Sequence, residues 1–489
     1  MKRITQNLVI IYFVAFISLP LGLMAVGYEA PAVENKDISD FPSFDSDRIL
    51  DTTFYADFAV ALRERMPARP QGIAAKARVD LAFGDSPNPQ VAIGSDGWLY
   101  LAETVEVECI SEDDARLVAD RIRFIQEAYE RAQRRLLFVV APDKAAVYPQ
   151  YLGKLAENTC IAANVVRWEE AFAGLEPDVV LLWDDMAEAS ADSQIYHQKD
   201  THWNARGAAV AGEAVVENLR PGVWGSGERD FSGVSSFDAD LTVLMGLPTR
   251  ISAPVVSIER PGVVSTVQAG RLDIPAAPIV RASATASPES PLVPGKTAVL
   301  HDSFGGAFVE TVLQDFEALT AIGSFDLGYE TVLSEVRGAD ALVVMTVERE
   351  LLARLTGANW TRFLLPLIDA TELINPGELL SGAQGSVRLN EVSLLETGGG
   401  RPMIFPQVTV VDDRRQFLAV TGVANEATVI DAFWTNDGSF SRDRSVGIRF
   451  PAGASYTVLL DLSDASAGSA VRVDLGSNMV VEAVRILDF

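Results

Sequence analysis

All three histidines of the chain fall in two short segments, Tyr196-His197-Gln198-Lys199-Asp200-Thr201-His202-Trp203-Asn204 and His301-Asp302-Ser303-Phe304-Gly305-Gly306. Histidine is the side chain that changes charge near neutral pH, so the clustering marks a place where protons are moved. Asp200 and His202 offer a carboxylate and an imidazole two residues apart, and Ser303 offers a hydroxyl. These are the parts of an activated nucleophile: a base held by an acid, taking the proton from an attacking oxygen. In an extended segment the side chains at i and i+2 share a side, so Asp200 can hold Nδ1 of His202 while Nε2 faces Ser303. Each segment also has a plain structural explanation, Ser303 as a turn residue after a strand and the Asp200 loop as a helix cap with a buried Trp203. A metal site built from Asp200, His202, His197, His301 and Asp302 has suitable donors but no compact His-x-x-x-His or Glu-x-x-His spacing. The expectation is a triad with no metal and no cofactor.

The elements that must position these residues are visible around them. The apolar run Thr297–Leu300 leads into the serine turn, and a helical pattern follows from Gly306 to Phe316. A serine there has an exposed hydroxyl beside unpaired backbone N–H groups that can hold an oxyanion. Similar apolar runs occur at 135–140, 179–183, 319–322 and 341–346, separated by helical patterns at 168–174 and 205–219. Short continuous runs alternating with helices describe an α/β sheet, mostly parallel, with helices on both faces. Ligands bind such sheets at the carboxyl ends of the strands, where Ala141-Pro142-Asp143-Lys144, the His301 turn and Thr346-Val347-Glu348-Arg349 must lie. That makes Lys144, Tyr148, Trp203, His301 and Arg349 candidate substrate contacts; solvated or salt-bridged loops are the alternative. Ser111 to Arg135 is a helix opened by a Ser111/Asp114 capping box. Residues 274–295, rich in Pro, Ala and Ser, are expected to be a surface excursion. From Gly385 short alternating stretches split by Gly, Asp and Asn turns describe a β-sandwich of roughly 100 residues. Its Trp434, Phe433 and Phe440 are either sugar-stacking or core residues.

Length and composition set the frame. The chain has 489 residues, 40 basic and 67 acidic, with a net charge of -27; one core rarely organises so many residues, so two folded domains are expected. The charge argues against nucleic acid or anionic lipid as main partner. Met1-Lys2-Arg3 followed by the apolar run Leu8–Val26 is long enough to span a bilayer, about 19 residues. Positive-inside logic places the remainder outside the cytoplasm. The favoured reading is an uncleaved inner-membrane anchor, a cleaved signal and soluble product being the alternative. In that oxidising setting Cys109 and Cys160 can pair, closing a loop worth about 3 to 4 kcal/mol. A catalytic thiol is the other reading, and neither cysteine has a histidine near it in sequence.

Asp200-Thr201-His202-Trp203 followed by Gly207-Ala208 resembles the DHHW, AlgX/AlgJ-type alginate O-acetyltransferase branch of the SGNH hydrolase-like superfamily. Gly94-Ser95-Asp96-Gly97-Trp98-Leu99-Tyr100, Ala141-Pro142-Asp143-Lys144 with Tyr148-Pro149, Asp240-Leu241 and Asp302-Ser303-Phe304 stand in that family's order, so the resemblance spans roughly residues 53 to 375. Standard SGNH esterases place the serine first, whereas here Asp-x-His precedes it, as in this branch. The chain departs from the pattern at His301, where Gly is expected before Asp-Ser. The resemblance implies an α/β, SGNH hydrolase-like three-layer sandwich with a mostly parallel sheet, followed by a C-terminal β-sandwich that serves as a carbohydrate-binding module. The organisation expected is an anchor or signal over 1–27, a tether over 28–52, a catalytic domain over 53–380 and the sandwich over 385–489. The function implied is periplasmic O-acetyl transfer to an exported polysaccharide through a Ser303, His202, Asp200 triad, with a membrane-bound O-acyltransferase as acetyl donor. A carbohydrate esterase or deacetylase with the same triad, and a non-catalytic polysaccharide-binding assembly factor, are the alternatives.

Overall fold

A computed structural model describes residues 51–356 apart from 68, 273–276 and 326–329, short pieces before residue 51, and the strands between 385 and 488 with part of their connections. Apart from residues 18, 22 and 23, the apolar segment Leu8–Val26 lies outside the described residues, as does Phe440; among those described, no helix is long and apolar enough to cross a membrane.

In chain order the α/β part has strands β1 (Val91–Ile93), β2 (Leu99–Leu101), β3 (Arg135–Ala141), β4 (Val179–Leu181), β5 (Glu228–Asp238), β6 (Arg250–Glu259), β7 (Val263–Arg271), β8 (Pro278–Ala286), β9 (Val293–His301), β10 (Phe316–Ile322) and β11 (Ala341–Val347). The central sheet runs β4-β3-β11-β9-β10-β8-β7. Its first five strands are parallel and the last two are antiparallel additions. Alternation along β3 shows how the sheet is covered twice. Leu136, Phe138 and Val140 enter a core with the helices Glu112–Arg131 and Glu330–Arg337. Leu137, Val139 and Ala141 enter a second core with the helices Ala205–Leu219 and Gly305–Val312. A strand buried on both faces must be apolar at every position, which is why these runs are continuous.

Register carries the consequence for function. Met345 pairs with His301 and Val347 with Ala141, so β3, β9 and β11 end together. Pro142 to Lys144, Asp302 with Ser303, and Glu348 with Arg349 therefore leave the sheet along one edge.

Two expectations are corrected. Residues 278–286, inside the Pro-, Ala- and Ser-rich stretch read as a surface excursion, form β8, hydrogen-bonded between β10 and β7. Its one-sided burial left no continuous apolar run to detect. The hairpin of β5 and β6 was not anticipated either, because β5 is exposed along most of its length and its stability comes from pairing with β6.

After residue 384 two antiparallel sheets form. Gly385–Arg388, Met479–Asp488, Gln416–Ala424 and Tyr456–Asp461 make one, and Met403–Phe405, Ala470–Asp474, Thr428–Thr435 and Ser445–Phe450 the other. Leu418, Val420, Ile430, Trp434, Val458 and Val471 share a core between them. Trp434 is therefore a packing residue, and Phe433 is buried with the Arg472 guanidinium 4.5 Å from its ring centre; neither presents a face to a sugar. One of the alternating stretches after Gly385, residues 407–411, lies outside the described residues.

Cys109 and Cys160 are joined in a disulfide across 51 residues, tying the segment after β2 to the start of the helix Cys160–Phe172. Reduction should lower unfolding free energy by about 2 to 4 kcal/mol. Denaturant melts with and without reductant measure this, and coincident midpoints would remove the disulfide from the stability account.

Candidate active site

The Asp200 loop is built as a closed turn. Tyr196 and Trp203 face each other in an isolated antiparallel bridge, and the backbone N–H of His197 donates to the His202 carbonyl at 3.1 Å. Asn204 stops the loop and starts the helix, accepting from the N–H of Arg206 at 2.8 Å. Residues 198–202 are a series of bends, not the extended segment expected. Asp200 and His202 meet all the same: Nδ1 of His202 lies 2.9 Å from Oδ1 of Asp200, which also accepts from the His202 N–H at 3.1 Å.

Asp200 is buried, and its second oxygen accepts the Asp240 N–H at 2.8 Å. Burial by itself would raise this carboxyl, but the hydrogen bonds from His202 and the Asp240 N–H outweigh it and hold it well below the usual carboxylate range. Asp240 was noted in the sequence only as part of a motif. It opens the short helix Asp240–Leu244, takes the Thr201 N–H at 2.8 Å, and brings Oδ2 to 3.6 Å from Nδ1 of His202. Burial and the neighbouring Asp200 charge raise its carboxyl. The forty residues between the two acids gave no spacing signal; a helix start placed against the loop joins them.

Asp200, His202 and Asp240 have ligand atoms within 4.8 Å of one another, the group among the described residues with the composition to hold a metal ion. Both Asp200 oxygens and Oδ1 of Asp240 already accept backbone N–H groups, and Nδ1 of His202 faces Asp200 as a hydrogen-bond partner. That is the wiring of an oriented imidazole, whose proton stays on Nδ1.

Lys144 stands beneath this loop. It is buried, with Nζ 2.7 Å from the Asp200 carbonyl and 3.1 Å from that of His197, and its charge lies over the Tyr100 ring at 5.2 Å. Burial lowers its pKa to about 7 against the opposing pull of Asp240 and Asp200. Tyr148 is buried too, its hydroxyl accepting the Ile195 N–H at 2.9 Å. These two expected substrate contacts shape the loop from within.

The serine turn is fixed from the opposite side. Asp302 accepts the Phe304 N–H through Oδ1 at 2.9 Å and the Val347 N–H through Oδ2 at 2.7 Å, which pins the turn to the end of β11. Ser303 is exposed and its hydroxyl has no hydrogen bond among the described residues. The two motif segments meet through Phe304 and Trp203. Nε1 of Trp203 donates to the Phe304 carbonyl at 3.0 Å, and the His202 and Phe304 rings are 5.1 Å apart between centres. Trp203, a candidate substrate contact in the sequence, is a fully buried bracket.

A cleft of about 550 Å³ opens at Ser303, lined also by His301, Asp302, Phe325, Arg349 and Arg354. His202 is not among its lining residues. His301 directs Nδ1–H to the Asp302 carbonyl at 2.7 Å, and burial lowers its pKa. His197 is likewise lowered to about 4 by burial and packs edge-on against Phe237. Arg349 reaches the cleft while pairing with Asp143 and, at 3.0 Å, with Glu103. Behind it Glu348 takes the Trp183 indole N–H at 3.0 Å, and burial beside Asp143 pushes its pKa up to about 8.

Residues 91–259 match the family model described as SGNH hydrolase-like domain, acetyltransferase AlgX. Asp200, His202 and Asp240 fall inside this span and Ser303 beyond it. The resemblance read from the motifs is thereby borne out over these residues, which are similar to the SGNH hydrolase-like domain of AlgX. Its relatives include the probable alginate O-acetylases AlgJ of Pseudomonas putida, 29% identical over 161 residues, and of Pseudomonas aeruginosa, 25% identical over 226 residues. These alignments cover 31% and 45% of this chain and only 39% and 54% of the relatives. Among solved structures, AlgX of Pseudomonas aeruginosa is similar at 13% identity and a TM-score of 0.43, covering 82% of this chain and 94% of that one. The O-acetyltransferase domain of Pseudomonas putida AlgJ is similar at 18% identity and a TM-score of 0.36, covering 58% and 98%.

Two substitutions test the geometry. A Cβ on Gly305 would stand 2.1 Å from the His301 ring, so Gly305→Ala should cost about 1 to 3 kcal/mol in denaturant unfolding; a neutral result would show that His301 is free to move. Lys144→Met leaves the Asp200 and His197 carbonyls without their buried donor and should cost about 1 to 3 kcal/mol, whereas a stable variant would refute the clamp.

Proposed function

We propose that the protein is an extracytoplasmic O-acetyltransferase acting on an exported polysaccharide, with Ser303 as nucleophile, His202 as general base and Asp200 as the group that orients it. The observation that carries this reading is the Asp200–His202 pair fastened to the serine turn through Trp203 and Phe304. Oγ of Ser303 attacks the carbonyl carbon of an acetyl ester while Nε2 of His202 takes its proton. The leaving oxygen departs with that proton, and an acetyl-serine remains. A sugar hydroxyl then attacks, gives its proton to Nε2, and leaves as the acetyl ester while Ser303 regains its hydrogen. The backbone N–H groups of the serine turn are the proposed oxyanion donors. The Ser303 hydroxyl has no hydrogen bond among the described residues; its proposed bond to Nε2 of His202 forms with substrate, as catalytic hydrogen bonds commonly tighten on binding.

Acetyl-CoA does not occur outside the cytoplasm, so a membrane-bound O-acyltransferase is the proposed donor, and the segment Leu8–Val26 the proposed inner-membrane anchor. Relatives named alginate O-acetylases support the acetyl group and the periplasmic address. A carbohydrate esterase is the second reading, favoured by the exposure of Ser303, which lets water compete as acceptor.

The test is the full-length protein with an activated acetyl ester, with and without oligosaccharides. Ser303→Ala should reduce acetyl transfer by roughly 10³-fold or more, and Asp200→Asn by about 10²- to 10⁴-fold. A chelator should leave the rate unchanged. Full activity in Ser303→Ala ends the triad assignment, and acetate release that no sugar diverts identifies an esterase.

The pH dependence follows from Asp200. Its folded carboxyl lies below its unfolded value, so its stabilising contribution is complete above about pH 4 and lost as pH falls further. Asp200→Asn should therefore be less stable than the parent at pH 7, and the difference should shrink in acid. A gap that grows on acidification contradicts the sign.

A further inference from the structure

We infer that the acceptor received at the Ser303 cleft is an uncharged polysaccharide and not a polyuronate, an assignment that rests on the acyltransferase reading above. The relatives are named for alginate, whose every sugar carries a carboxylate. A site for such a chain needs cations free to meet it, in the manner of Arg and Lys pairing with carboxylates. Among the described residues the cleft has two arginines, and both are engaged. Arg349 is paired with Asp143 and Glu103. Arg354 lies 3.3 Å from Glu350, with its guanidinium 4.6 Å from the Phe325 ring centre. Besides Glu350, which is spent on Arg354, Asp302 lines the same cleft, so a further carboxylate faces two arginines that are already paired. Its third basic side chain, His301, is held neutral by burial and gives its Nδ1–H to the Asp302 carbonyl.

The surroundings deepen the imbalance. A second cavity of about 470 Å³ shares Arg349 and Glu350 with the cleft and is also lined by Glu103, Glu108, Asp114 and Asp143. The whole chain carries a net charge of -27. A polyanion entering here places its carboxylates within about a Debye length, 8 to 10 Å, of this field and is repelled. What the cleft offers instead is hydroxyl, backbone and apolar surface: Ser303, Gly323 and Pro278. That is the lining for a neutral sugar with free hydroxyls.

The experiment offers the full-length protein an activated acetyl ester together with either neutral manno- or gluco-oligosaccharides or oligomannuronates of equal length, at 25 mM and 300 mM NaCl. We expect kcat/KM for transfer to a neutral acceptor to exceed that for the uronate by at least tenfold at low salt, with the ratio falling as salt screens the repulsion. Equal or better use of the uronate, or a ratio that rises with salt, overturns the inference. Hydrolysis of the ester with no sugar acetylated would end the acyltransferase reading. Calorimetric binding of the same oligosaccharides to Ser303→Ala then decides the sugar class on its own. Binding of the neutral set alone upholds the inference; binding of the uronate, or of neither, overturns it.

Discussion

The buried hydrogen bond from the Trp203 indole to the Phe304 carbonyl, 3.0 Å long, ties together segments 101 residues apart. Each segment is fixed by its own means: the Asp200 loop by its Tyr196–Trp203 bridge and the Lys144 ammonium, the serine turn by Asp302 and the end of β11. Without the connection they would be two well-formed turns with no fixed relation. An indole N–H with no water to turn to must keep its acceptor, and the Phe304 ring against both Trp203 and His202 closes the joint.

Around that joint the protein sorts its charges by environment. Asp200 stays ionised because three N–H groups converge on it, whereas Asp240, farther from the imidazole at 3.6 Å, is raised by burial and by Asp200 itself. On the far side of Arg349, Asp143 takes the guanidinium, and Glu348, buried beside Asp143 with the Trp183 indole and the Asp143 N–H as its donors, is pushed up to about 8. Two carboxylates near one positive group do not both ionise freely in a low-dielectric setting. The same chemical type thus supplies an orienting anion at one place and a structural acid at another.

The sheet and its polarity were legible because a strand buried on two faces has to be apolar throughout, and 135–140 and 341–346 have that signature. The helix Ala205–Leu219 was read to the residue, since Asn204 caps it and its apolar positions keep helical spacing. Strands β5 to β8 were illegible for the converse reason: they gain stability from hydrogen-bond pairing and partial burial, and a partner strand leaves no mark on the sequence it pairs with. Trp434 and Phe433 show the ambiguity of aromatics in small β domains, where core and binding residues have the same composition.

By itself the sequence determined which groups can react. Serine, imidazole and carboxylate chemistry belongs to the side chains, and His202 is bound to Asp200 by a two-residue separation that the loop cannot undo. Tertiary structure decided everything that depends on distance through space: Asp240 as a second acid at the imidazole, Lys144 turned inward as a clamp, Trp203 as a bracket, and Arg349 taken by carboxylates from other elements. The physical reason is that burial and pairing set the charge and the availability of a polar group, and both are properties of neighbours that only the fold assembles.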